Sequence, residues 1–217
     1  MVVTIDGPAG AGKSSVARTL AKRLGFRFLD TGAMYRAVTL AAVRRQLDWN
    51  DTAALGALAG RVAIELQDKR VLLDGEDVTD QIRTPEVTAK IHYVADNREV
   101  RLRLGELQRR EREKGDIVTE GRDQGTVVFP DAKCKIFLTA TPQERARRRL
   151  LESRRRGEDV TLEEILAQQD ERDRRDSERP LGRLAAAADA LVVVSDCMTQ
   201  DEVVDHLEQL VRQKQSE

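Results

Sequence analysis

Long apolar runs are missing from this chain. None of its 217 residues belongs to a stretch of about 18 consecutive apolar residues, so no membrane-spanning helix is expected. No charged segment precedes the first apolar run, so no export signal is expected, and the reading is a cytoplasmic protein without a membrane partner. Cysteine is scarce. Cys134 and Cys197 lie far apart without metal-ligand spacing, and each is expected to be a small buried hydrophobe. Histidine is as scarce, with His92 and His206 alone, and no general base is evident. A basic excess is lacking too. The net charge is −1 although 35% of residues are charged, which argues against a protein that coats nucleic acid. At this length one domain is expected, with a sizeable core, an appended subdomain and a monomeric state.

What is present begins at the N-terminus. The β-branched run Val2-Val3-Thr4-Ile5-Asp6 opens into Gly7-Pro8-Ala9-Gly10-Ala11-Gly12-Lys13-Ser14-Ser15. Gly7, four residues, then Gly12-Lys13-Ser14 is the complete phosphate-loop spacing. Glycines let backbone N–H groups curl around phosphate oxygens at φ values that a side chain forbids. Lys13 is placed to reach the β- and γ-phosphates, and the Ser14 hydroxyl to ligate Mg²⁺. Val16, Leu20 and Leu24 recur at helical spacing until Gly25, so strand, loop and helix agree, and the helix N-terminus faces the same anion.

Along the chain, strands are expected at Phe26–Leu29, Val62–Leu66, Val71–Leu73, Asp116–Thr119, Lys135–Leu138 and Ala190–Val194. The stretches Gln67-Asp68-Lys69-Arg70 and Asp74-Gly75-Glu76-Asp77 read as turns. Helices are expected from Asp30 or Thr31 to about Arg45, over 51–60, from Glu86 to about Lys114 with a break near Asp96-Asn97, from Thr141-Pro142 to about Glu152, from Thr161 onward behind a capping box, and from Asp201 to about Val211. The alternation predicts an α/β fold: a parallel sheet with helices on both faces and a small insertion. Ligands of such sheets bind at the carboxyl ends of strands, where the phosphate loop, Glu120, Arg122 and Asp123 all sit.

Arginine carries most of the positive charge, with only eight lysines among 37 basic residues. Its fork grips phosphate bidentately. The Arg-dense run Ser153-Arg154-Arg155-Arg156-Gly157 reads as a mobile lid over transferring phosphates or as a solvated charge run. Arg172, Asp176 and Arg179 share one helix face, fit for a sugar and an anion or for intrahelical salt bridges. Tyr35 and Arg36 fit a base and a phosphate, or a buried ring and a surface charge. Glu120 ends its strand as a Walker-B-like acid would, or serves as an ordinary salt-bridge carboxylate. Asn50 and Asn97 are the only asparagines and neither precedes a lysine, so the guanine reader of a GTPase is missing, as is the Ser-Gly-Gly signature of transport ATPases.

With these residues in view, the chain resembles the bacterial cytidylate (CMP) kinases, P-loop nucleoside monophosphate kinases, over nearly its whole length. The matching stretches are Ile5–Ser15, Leu29–Arg36, Leu73–Val87, Gly121–Ala132 and Glu171–Arg179. The first is common to phosphate-loop kinases; the next three together are specific. The resemblance implies a kinase core over about 1–34, 115–150 and 180–217, a nucleoside-monophosphate-binding region over about 35–114 and a lid over about 151–162. It implies phosphoryl transfer from ATP to CMP or dCMP with Mg²⁺. It implies that Arg36 and Arg122 hold the acceptor phosphate, that Thr31, Arg101, Asp123 and Arg179 surround the cytosine, that Arg172 and Asp176 meet the sugar, and that lid arginines from 147 to 156, Arg154, Arg155 and Arg156 among them, meet the ATP phosphates. His92 departs from the pattern, standing where a small hydroxyl residue often contacts the base.

Overall fold

The computed structural model describes residues 1–67, 70–155 and 157–216. In chain order the elements are β1 (Val2–Asp6), α1 (Lys13–Leu24), β2 (Arg27–Asp30), α2 (Thr31–Arg44) and α3 (Thr52–Arg61). A hairpin region follows: β3 (Ile64–Gln67), β4 (Arg70–Leu73) and β5 (Glu76–Asp77). Then come α4 (Pro85–Ala95), α5 (Arg98–Glu111), β6 (Ile117–Gly121), β7 (Cys134–Thr139), α6 (Pro142–Arg155), α7 (Leu162–Glu178), β8 (Leu191–Val194) and α8 (Gln200–Ser216). The chain divides into two compact units, Met1–Phe26 with Asp116–Glu217, and Arg27–Gly115. Among the described residues no helix is long and apolar enough to cross a membrane.

In the first unit, β6, β1, β7 and β8 lie side by side in that order, all parallel. Val3, Ile5, Ile117, Val118, Ile136 and Leu138 are fully buried, which explains the continuous apolar runs: a sheet covered on both faces has no polar side. Helix α8 packs on α1 through Leu20, Val204 and Leu207, and α6 packs on α7. Gly25 stops α1 in the left-handed region at φ 71. The capping box at Thr161 is complete, with Glu164 N–H donating to the Thr161 hydroxyl and Thr161 N–H to the Glu164 carboxylate.

The second unit packs α2 on α4 and α3 on α5 around Val38, Leu55, Ile82, Val94 and Leu104, beside the antiparallel β3-β4-β5 sheet. The break between α4 and α5 falls where expected. Asn97 caps α5, accepting from Val100 N–H at 3.1 Å, and donates its amide to Thr52 O at 2.7 Å.

Four expectations need correction. Glu76 and Asp77 are a short strand rather than part of a turn; the turn is Asp74-Gly75, both at positive φ (52 and 85), as a tight hairpin demands. Helix α6 runs to Arg155, so Ser153, Arg154 and Arg155 are helical and not loop. Arginine is a good helix former, and beyond the helix end Gly157 (φ 75) closes back on it, with Gly157 N–H meeting Arg154 O and Glu158 N–H meeting Ser153 O. Helix α8 extends past Val211 to Ser216. Cys197 is exposed, held at φ 60 in the turn after β8, whereas Cys134 is buried on β7 and burial pushes its thiol up to about 11. The Asp68-Lys69 tip of the expected β3–β4 turn lies outside the described residues.

Candidate active site

The phosphate loop hangs from the carboxyl end of β1. Gly7 is at φ 148, and a Cβ there would lie 2.0 Å from Leu138 O on β7, so no side chain fits. Gly12, at φ 80, turns the chain into α1. The loop carbonyls are held by cations. Lys13 Nζ donates to Pro8 O at 2.6 Å, and Arg145 Nη1 donates to Ala9 O at 2.9 Å. Holding those carbonyls outward leaves the loop's N–H groups for an anion. Lys13 is buried; burial first, and then the nearby Arg122 charge, push its ammonium down to about 7.

Ser14 Oγ donates to Glu120 Oε1 at 2.8 Å. Glu120 is the last residue but one of β6, registered beside Ile5. A hydroxyl backed by a buried carboxylate is an all-oxygen donor pair of the kind a hard divalent cation takes, so the residues fit Mg²⁺.

Two residues beyond Glu120 the chain supplies a charge cluster. Arg122 Nε donates to Asp176 Oδ2 at 2.8 Å, and Arg179 Nη2 donates to Asp176 Oδ1 at 2.6 Å. Burial pushes the Asp176 carboxyl up, but the Arg122 and Arg179 guanidiniums outweigh it and hold it down at about 2. The pair therefore sets a pH window. Asp176 titrates near 3.8 unperturbed, so its ionised form stabilises the fold above pH ~4, and that contribution vanishes as pH falls towards 2. The contribution is roughly 2 kcal/mol. Asp176→Asn is expected to lower urea stability by that order at pH 7, with the gap closing between pH ~4 and ~2. A gap that stays constant with pH would show that the charge is not its source.

The sequence profile of the family described as cytidylate kinase matches residues 3–213. The chain belongs to the cytidylate kinase family. A curated relative named cytidylate kinase in Rhodopirellula baltica is 54% identical over 213 residues, covering 98% of this chain and 93% of that one. Another of that name in Mycobacterium leprae is 48% identical over 215 residues, covering 99% and 96%. A solved structure, an uncharacterized protein from Eubacterium ventriosum, shares the fold with a TM-score of 0.54 at 14% identity, covering 100% of this chain and 99% of that one.

In this member of the cytidylate kinase family the second unit carries its own cluster. Asp30 caps α2, accepting from Ala33 N–H at 2.9 Å, and Thr31 is buried in the first turn. Arg36 Nη1 donates to Thr88 Oγ1 at 2.8 Å and to Ile82 O at 3.2 Å, so it is aimed by α4 and by the segment before it. The Arg101 guanidinium lies 5.5 Å from the centre of the Tyr35 ring and its Nη1 donates to Ala95 O. His92 stacks on Tyr93 at 4.1 Å between centroids. Thr88 lies one helical turn before His92 on α4, and it is the hydroxyl that bonds Arg36.

The first unit gathers Lys13, Ser14, Glu120, Arg122, Asp176 and Arg179. Arg172 lies one turn before Asp176 on α7, and its charge acts on both Lys13 and Asp176. Asp123 is buried at the start of a π-helical turn over Gln124–Val128. Arg154 and Arg155 are exposed on the last turn of α6, and Arg156 lies outside the described residues.

Sequence reasoning gives Arg145 no role and places Arg148 only among the lid arginines of 147–156. Arg145 is buried, and besides Ala9 O it donates to Ala140 O at 3.1 Å and Asp173 Oδ2 at 2.6 Å, tying the loop to α7. Arg148 spends all three nitrogens on Glu144 and Ser195, with Nη1 lying 3.9 Å from where a Gly12 Cβ would be. Helical spacing gives no hint of either, because the arginines around them read as one solvated run.

Proposed function

We propose that this chain transfers the γ-phosphoryl group of ATP to CMP and dCMP. Supporting this most directly is the family match over residues 3–213, on a chain whose Lys13 cradle and Arg122–Asp176–Arg179 cluster occupy one unit. An oxygen of the acceptor's own phosphate attacks the γ-phosphorus in line. The bond from that phosphorus to the β,γ-bridging oxygen breaks, and ADP leaves with the electron pair. The attacking phosphate has its second pKa near ~6 and is ionised at neutral pH, so no base has to take a proton. The task left to the protein is positioning and charge neutralisation.

Lys13 and the backbone N–H groups of Gly7–Ser15 hold the donor phosphates. Arg36 and Arg122 hold the acceptor phosphate. Thr31, Tyr35, Arg101, Asp123 and Arg179 surround the base, with Arg172 and Asp176 at the sugar. Arg154, Arg155 and Arg156 come to the ATP phosphates when the lid closes, excluding water as a competing acceptor. Ser14, with Glu120 behind it, would hold Mg²⁺, which supplies neutralisation of phosphate charge when bound.

The test is an acceptor panel. ADP formation from ATP is followed with CMP, dCMP, UMP and AMP. CMP and dCMP are expected to turn over with kcat/KM at least about tenfold above UMP and AMP. Preferred turnover of AMP, or of none of the four, would contradict the proposal. ATP binding with no transfer to any acceptor would favour a nucleotide-gated regulator.

A further inference from the structure

The strand that leads into the phosphate loop ends in a carboxylate whose hydrogen bonds go elsewhere than the loop, although it lies within the field of Lys13. Asp6 is 4% exposed. Its Oδ1 accepts from Gln124 N–H at 2.8 Å and its Oδ2 from Gly125 N–H at 2.7 Å, 118 and 119 residues along the chain. Both oxygens are therefore engaged with the backbone just after Arg122 and Asp123. By strand register Asp6 lies beside Gly121, so the segment 121–125 leaves β6 and is caught at once by β1.

The catch is tight. A Cβ on Gly125 would lie 2.9 Å from Thr4 Oγ1 and 3.4 Å from Asp6 Oδ2, so the turn rests directly on β1. The caught segment then closes on itself as a π-helical turn, with Val127 and Val128 N–H groups both donating to Asp123 O at 2.9 and 3.2 Å. A π-turn is a rare conformation, met mostly at functional sites. Inside it, Thr119 Oγ1 donates to Gln124 Oε1 at 2.9 Å, a second anchor from β6.

Burial, against the two N–H bonds that oppose it, pushes the Asp6 carboxyl up to about 6. At neutral pH the chain keeps a buried negative charge on β1, satisfied by those two N–H groups. The phosphate loop's carbonyls, meanwhile, are held by Lys13 and Arg145, and Asp6 reaches the loop only through the charge of Lys13.

We infer that Asp6 is a positioning residue for acceptor recognition: by holding the N–H groups of Gln124 and Gly125 it sets the directions from which Arg122 and Asp123 meet the acceptor's phosphate and base. The inference rests on the CMP-kinase reading above. Asp6 touches no substrate and acts through the backbone it grips.

The experiment compares Asp6→Asn with the parent chain, measuring kcat and KM for CMP, UMP and ATP. Asparagine keeps the shape but turns one acceptor into an amide donor facing an N–H. KM for CMP is expected to rise about tenfold, the size of one lost hydrogen bond, and the CMP-to-UMP ratio of kcat/KM to fall by a similar factor. KM for ATP is expected to stay within about twofold. An unchanged CMP KM and base ratio would overturn the inference, as would a change confined to ATP. A lowered melting temperature with unmoved kinetic parameters would make Asp6 a fold residue only and also overturns it. Should Asp6→Asn fail to fold, Asp6→Ser, which keeps one acceptor, is read in the same assay with the same outcomes. The parent supplies the control: no CDP from it would defeat the kinase reading itself, whereas CDP from the parent with unaltered variant parameters defeats only the role of Asp6.

Discussion

Arg122→Ala is expected to lower kcat with CMP by about 10³-fold, with KM for ATP moving less than about twofold. Arg122 is fixed before any substrate arrives. Its Nε is bonded to Asp176 and its Nη1 to Gly121 O, while no described residue takes its Nη2. Burial opposes its charge, but Asp176 outweighs burial and raises its pKa, so the guanidinium enters the reaction charged and oriented. A preorganised cation of this kind costs no reorganisation when charge spreads over the transferring phosphoryl group. Arg122→Lys keeps a charge but loses the fork, and an intermediate rate is expected. The alanine variant also strips Asp176 of one partner, so its fold is checked by circular dichroism alongside the kinetics. Near-normal turnover by a folded Arg122→Ala chain would refute the phosphate role.

The second large effect concerns the choice of base. Cytosine offers an amino donor at N4 where uracil offers an acceptor. Asp123 is buried, and a carboxylate facing that position is satisfied by cytosine and left facing an acceptor by uracil. The mismatch costs roughly 2 kcal/mol, or about 30-fold in kcat/KM. Asp123→Ala is therefore expected to shrink the CMP-to-UMP preference by about that factor, chiefly through weaker use of CMP. An unchanged ratio would remove Asp123 from base recognition. If Asp123 supplies the specificity and Asp6 its aim, the Asp6→Asn effect is expected to be the smaller of the two.

These residues were not equally legible in the chain. The phosphate loop could be read in full because strand, loop, lysine and helix are consecutive and each local preference agrees with the next. The α4–α5 break could be read because Asn97 caps its helix with its own side chain. Asp6 and Arg145 could not be given roles, because their partners stand 118 and 136 residues away and no local pattern announces them. The one trace of Asp6 is a charge ending an otherwise apolar strand. The run at Ser153 misled because polarity suggested a loop while arginine's helix propensity carried α6 on to Arg155. The face Arg172, Asp176 and Arg179 was left open between salt bridges and ligand contacts. In the structure α7 ends at Glu178, so Arg179 lies just past the helix and not on its face; Asp176 bonds it and also bonds Arg122, so the salt bridges are real and one of them reaches the end of β6.

The central claim is that cationic side chains bring two phosphates together and cancel their repulsion. The most direct measurement is a crystal structure with a non-hydrolysable ATP analogue and CMP bound. Lys13 is expected within hydrogen-bond distance, about 2.7–3.2 Å, of the analogue's terminal phosphates, with Arg36 and Arg122 at the same range from the CMP phosphate. CMP seated with its phosphate beyond the reach of both arginines, or a triphosphate bound away from Lys13, would contradict the account.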